Sequence, residues 1–130
     1  MIQRIQSIFL LIIVLCGVGL VVFLPFMKHI IVICIWALDL FSILIATITL
    51  FQYKNRIRQI LFCNWLILIN VLMLIPLIYG CIFGYDSGYV LIKDIIIWLS
   101  LPLISTISAF LARRYIKKDE ELVRSADRIR

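Results

Sequence analysis

The chain has 130 residues, of which 65% are hydrophobic and 15% charged, with a net charge of +6. Soluble domains are nearer half apolar and a quarter charged, so the composition excludes a soluble fold and points to one polytopic membrane domain with no room for a second. The positive charge does not mark a nucleic-acid surface, because the basic residues flank apolar runs, where they set topology and meet anionic lipid headgroups.

Residues 1–7 are short and polar, with one charge at Arg4. Residues 8–26 then run without a charge. At helical rise they cover about 28 Å, close to the ~30 Å hydrocarbon core of a bilayer. The run is long for the apolar core of a signal peptide and has no A-x-A-like site. A lipoprotein site at Cys16 would want a small residue before it, and Leu15 stands there. The expectation is a retained first span.

Pro25, Lys28 and His29 form a tight connection, and residues 30–50 make the second span, interrupted only by Asp39. A short basic loop follows over residues 52–59, carrying Lys54, Arg56 and Arg58. The third span covers residues 60–79, with Asn64, Asn70 and Pro76 inside it. Residues 80–88 are rich in glycine and aromatics and read as a loop or interfacial turn. The fourth span runs over residues 95–112 and contains Pro102. The fold class is thus an all-α, antiparallel four-span bundle, followed by a charged tail over residues 113–130 that is expected to continue as a helix.

Counting Lys and Arg near the span ends orients this bundle. With both termini in the cytoplasm, eleven of the thirteen lie inside and only Lys28 and Lys93 lie outside, a strong bias under the positive-inside rule. Tyr53, Trp65 and Tyr115 then fall near the inner interface, and Tyr79, Tyr85, Tyr89 and Trp98 near the outer one, as aromatic belts require.

Asp39 is the one acid well inside an apolar run, about 13 Å from the outer end of its span. An ionised Asp at a span centre costs ~2.5–3.5 kcal/mol, so the residue is expected to be protonated or paired. Helical spacing puts Asp39, Ser42, Ala46 and Thr49 on one face. Small residues mark helix contacts in membranes, so this face is expected to point into the bundle. Asn70 lies at a similar depth on the antiparallel neighbour and carries an amide donor, so Asp39 and Asn70 are the expected intramembrane polar pair. Ser105, Ser108, Ala109 and Ala112 form a second small-residue seam, and Pro76 and Pro102 are expected to kink their helices.

Enzyme chemistry finds little support in the residue inventory. There is one His, and Asp39 and Asp94 lie at different depths. Cys16, Cys34, Cys63 and Cys81 are dispersed, with no C-x-x-C and no Cys/His cluster, so no zinc or redox motif is visible and no cofactor is implied. One disulfide is left open, between Cys34 and Cys81, both placed near the outer face. No internal repeat suggests an inverted-repeat transporter.

The tail holds seven of the thirteen Lys and Arg and four of the seven acids. Lys117–Glu121 and Glu120–Arg124 are spaced as i,i+4 pairs. Tyr115, Leu122, Ala126 and Ile129 fall near one helical stripe, with Asp119 interrupting it. The expected interaction surface joins Arg4, Lys54, Arg56 and Arg58 to Arg113, Arg114, Lys117, Lys118, Leu122, Arg124 and Arg128. Its expected partners are anionic headgroups and a protein or a second copy of the chain.

Three stretches also carry a family resemblance: Met-Ile-Gln-Arg-Ile-Gln-Ser at residues 1–7, Tyr-Lys-Asn-Arg at 53–56 with Gln59, and Lys-Asp-Glu-Glu-Leu-Val-Arg-Ser-Ala-Asp-Arg-Ile-Arg at 118–130. With these the chain resembles the bacterial inner-membrane family known as domain of unknown function 4293, departing from it in a shorter first outer loop. The resemblance implies four spans, an inner-membrane location and no known activity, so no site residues carry over from it. The functional expectation is a non-enzymatic scaffold or accessory subunit acting through the basic loop and tail. The alternative is a small proton- or ion-coupled transport component using Asp39.

Overall fold

The computed structural model describes residues 2–23, 30–52, 55–86 and 92–127. They form four helices: α1 (Ile2–Phe23), α2 (Ile30–Phe51), α3 (Arg56–Asp86) and α4 (Ile92–Asp127). All four contain stretches long and apolar enough to cross a membrane, of 19, 21, 27 and 33 residues. Helix is the only open conformation for such stretches, because hydrocarbon offers backbone amides no partner outside the chain.

α1 packs on α2 and α4, and α3 packs on α2 and α4, while the diagonal pairs do not meet among the described residues. The helices therefore stand in chain order around a square. Side-chain contacts fix their directions. Phe9, early in α1, stacks on Tyr115, late in α4, with ring centroids 5.7 Å apart. At the other end Trp98 Nε1 donates to the backbone oxygen of Phe23 at 3.1 Å, satisfying a carbonyl that the end of α1 leaves open. Neighbours are antiparallel, and the start of α1 and the close of α4 lie at the same end, together with the α2–α3 connection. We call it the arginine end.

The helices extend beyond the spans read from the sequence. α1 begins at Ile2, which places Arg4 within a helix, and α3 begins at Arg56, so Arg56 and Arg58 belong to its first turn rather than to a loop. α3 also continues through Gly80 to Asp86, where a loop was expected. Glycine weakens a helix in water by roughly 1 kcal/mol relative to Ala, but this segment packs. Cys81 is buried in a cluster with Leu20, Ile35, Met73 and Leu77, and the Gly80 position faces Ile31 on α2. Pro76 and Pro102 sit inside α3 and α4 without ending them. α4 runs 36 residues, so the charged tail continues the fourth span through Asp127. The four cysteines are free thiols, with Cys34 exposed and Cys81 buried, so they do not form a disulfide.

The core is split in two. Near the arginine end, Leu10, Ile13, Ile45, Ala46, Cys63, Leu66, Ile69, Ala109, Ala112 and Ile116 form one apolar cluster. The cluster around Met73 and Leu77 forms the other. Between them, on all four helices, come Gly17, Asp39, Ser42, Asn70 and Ser105, every one of them buried. Large apolar side chains such as Leu15, Phe41, Trp65, Ile75 and Phe110 cover the outside and are more than half exposed, as a lipid-facing surface requires.

Candidate functional site

Among the described residues, polar side chains gather in the layer between the two apolar clusters and at the arginine end.

In the layer, the face expected from helical spacing is buried as a set: Asp39 is 2% exposed, Ser42 2%, Ala46 0% and Thr49 0%. The small-residue seam of α4 is buried too. Asn70, the partner expected for Asp39, bonds elsewhere. Asn70 Nδ2 donates to Ser42 Oγ at 3.3 Å and to the backbone oxygen of Leu66 at 2.8 Å. The amide thus clasps α2 one turn away from Asp39, because Ser42 presents a hydroxyl on the same face. Asp39 Oδ2 is buried without a hydrogen-bond partner among the described residues, and its other oxygen faces Gly17. A Cβ added at Gly17 would lie 3.1 Å from Asp39 Oδ1 and 2.6 Å from Ile43 Cγ1. The glycine is the reason α1 and α2 approach this closely beside the carboxyl.

At the arginine end, Arg56 connects the start of α3 to the extension of α4. Its Nη2 lies 3.3 Å from Asp119 Oδ2, and its Nη1 donates to the backbone oxygen of Asp119 at 3.2 Å. Asp119, which looked like an interruption of the tail's stripe, is the anchor of this contact. The signal for it in the sequence was one acid on an otherwise apolar helical face, a residue with something other than water opposite it. Leu122 does not belong to a buried stripe. It is 50% exposed, and Ile116 takes the buried place. Of the two i,i+4 pairs expected, Glu120–Arg124 closes at 3.5 Å. Lys117 and Glu121 form no ion pair among the described residues. A further tie missed from sequence is Gln59, whose Nε2 donates to the Thr49 backbone oxygen at 3.0 Å and closes α2 onto α3.

Around the Arg56–Asp119 contact opens a cleft of about 650 Å³ lined by Asn55, Arg56, Ile57, Arg58, Glu120, Val123 and Arg124. It gathers Arg56, Arg58 and Arg124 of the expected interaction surface, with Leu122 exposed beside Val123. Arg114, Lys117 and Lys118 are exposed on α4. Arg113 is separate and half-buried, and lines a different groove. Arg4 is described only as a helical residue of α1, and Lys54 and Arg128 lie outside the described residues. Among the described residues no three His, Cys, Asp or Glu side chains come together.

Four long apolar helices in an antiparallel bundle define a multi-pass α-helical membrane protein. The family model of the domain of unknown function DUF4293 matches residues 28–129, and the chain belongs to that family, as the resemblance implied. No curated protein and no solved structure matches the chain.

Proposed function

We propose that the protein is a non-enzymatic membrane scaffold or accessory subunit of the bacterial inner membrane, with both termini cytoplasmic, that engages a protein partner through its arginine end. The observation that carries this reading is the double contact between Arg56 and Asp119. It makes one preformed cleft from two segments far apart in sequence, and a preformed surface avoids part of the ordering cost of association. The excess of Lys and Arg on that end supports the cytoplasmic orientation. It also gives the exposed Arg114, Lys117 and Lys118 a role on anionic headgroups beside any protein partner.

The test is a photoreactive residue at Leu122 in the intact membrane, with mass spectrometry of the adducts. A reproducible protein adduct that disappears with Arg58→Glu and Arg124→Glu is expected. Adducts to lipid alone would reduce this end to a topology anchor.

The second reading, a proton- or ion-coupled transport component, has one observation in its favour: the buried Asp39 Oδ2 without a partner among the described residues. Intramembrane acids often mark ion pathways. The two readings part on a pair of variants. Removing residues 122–130 should abolish function in the scaffold reading, while Asp39→Asn is tolerated. The transport reading requires the reverse.

A further inference from the structure

A groove of about 640 Å³ runs along the outside of the α3–α4 contact, lined by Asn64, Ile67, Leu68, Val71, Leu72, Ile75 and Arg113. Its apolar wall follows one side of α3, and Leu68, Val71, Leu72 and Ile75 are about half exposed or more. From Asn64 to Ile75 the wall is about 16 Å long at helical rise, which is roughly half of the ~30 Å hydrocarbon core. The groove is therefore about as long as one leaflet is thick.

Its polar end is fixed by the register of α3 and α4. The Arg56–Asp119 contact sets the two helices side by side. From that level Asn64 lies about 12 Å further into the bilayer and Arg113 about 9 Å. They meet at nearly one depth, and Arg113 has no ion-pair partner among the described residues. A guanidinium at an apolar wall just inside the interface requires an anion or a route to water. A cation at the head of an apolar groove of one leaflet's length has the complement of a phospholipid: phosphate against Arg113 and Asn64, acyl chain along Val71, Leu72 and Ile75.

We propose that this groove is a site for one anionic phospholipid of the leaflet at the arginine end. The inference rests on the membrane-spanning fold and not on the partner-binding cleft, so either can fail without the other. It also takes Arg113 out of the protein-interaction surface and assigns it to lipid.

The experiment is native mass spectrometry of the delipidated full chain in a nonionic detergent, titrated with phosphatidylglycerol, phosphatidylcholine or glycerol 3-phosphate. One phosphatidylglycerol per chain is expected to be retained about tenfold more tightly than phosphatidylcholine, whose phosphate can make the same charge-assisted contact but whose choline cation opposes the arginines at this end. Arg113→Gln should bring phosphatidylglycerol down to the phosphatidylcholine level, and Arg113→Lys should keep most of the preference. Arg114→Gln, one residue away and exposed, should weaken only the diffuse attraction of further anionic lipids and leave the one tightly held phosphatidylglycerol in place. Val71→Trp keeps the charge and fills the groove, so it should weaken both lipids.

Equal binding of the two lipids, or an equal loss with Arg114→Gln and Arg113→Gln, would overturn the site in favour of diffuse attraction. Competition by glycerol 3-phosphate at the concentration of the lipid would overturn the acyl-chain half of the argument. A dimer abolished by Val71→Trp and indifferent to headgroup would give the groove to a second copy instead.

Discussion

Arg56 grips Asp119 twice, through the carboxylate at 3.3 Å and the backbone oxygen at 3.2 Å, across 63 residues of sequence. The contact joins the first turn of α3 to the stretch of α4 beyond the apolar span. Beyond the Phe9–Tyr115 stack and the buried Ile116, the α4 extension would without it depend on i,i+4 pairs such as Glu120–Arg124, which contribute only a few tenths of a kcal/mol each. Their side chains are partly exposed, so the carboxylate part is expected to be worth about 1 kcal/mol. A double-mutant cycle with Arg56→Ala and Asp119→Ala, read from unfolding midpoints in mixed micelles, should return a coupling of that size. Coupling indistinguishable from zero would leave the bond to the Asp119 backbone oxygen as the only hold of Arg56 on α4 among the described residues, and an Arg56→Ala variant as stable as the parent would then remove the basis of the preformed cleft.

Gly17 and Gly19 sit two residues apart in α1 and should respond to the same substitution with opposite signs. At Gly17 a Cβ would lie 2.6 Å from Ile43 Cγ1, an inner carbon of a packed side chain that cannot simply swing away. Gly17→Ala is therefore expected to destabilise by about 1–3 kcal/mol, and Ile43→Ala in the same chain should return part of the loss. At Gly19 the added methyl would meet the two Leu101 Cδ atoms at 3.7 and 3.8 Å, an ordinary contact. Gly19→Ala should then stabilise by about 0.5–1 kcal/mol through the backbone alone. Thermal unfolding of the three single variants and the Gly17/Ile43 double variant in one detergent decides it.

Asn70 distinguishes a clasp from a charge site. Its amide bonds to Ser42, so Asn70→Leu and Ser42→Ala should be non-additive by about 0.6 kcal/mol, the usual size of an interhelical hydrogen bond in a membrane. Asp39→Asn and Asn70→Leu should instead add to within about 0.5 kcal/mol. A large Asp39–Asn70 coupling would restore the pairing expected from depth alone and would remove the unpartnered Asp39 Oδ2 on which the transport reading rests.

The spans could be read from sequence because lipid leaves a charge-free apolar run one choice of structure. The inward face of α2 could be read because Asp39, Ser42, Ala46 and Thr49 recur at helical spacing. The helix ends were harder. Gly80 and the aromatics after it look like a turn by the statistics of water-soluble chains, yet the helix persists because Cys81 and Gly80 pack against the other helices. Partners were harder still. Depth counting aligned Asn70 with Asp39, but an error of only three residues, about 4.5 Å at helical rise, separates that carboxyl from Ser42. Periodicity within α4 flagged Asp119 as an interruption and had no means of finding Arg56 on another helix.

The orientation of the bundle is open to a direct measurement. The geometry puts Asn55 and Ser125 at the arginine end, where α3 begins and α4 closes, and Lys93 at the opposite end, in the first turn of α4. In a chain with its four native cysteines replaced by Ala, single cysteines at positions 55 and 125 should therefore react from one side of the membrane and a cysteine at 93 from the other. The excess of Lys and Arg at the arginine end makes that first side the cytoplasm. A membrane-impermeant maleimide should label position 93 in right-side-out vesicles, and positions 55 and 125 only after inversion or permeabilisation. If positions 55 and 125 label from opposite sides, the antiparallel four-span bundle is wrong. If all three report the inverse pattern, the bundle stands but faces the other way, and the arginine cleft would have to find its partner outside the cytoplasm.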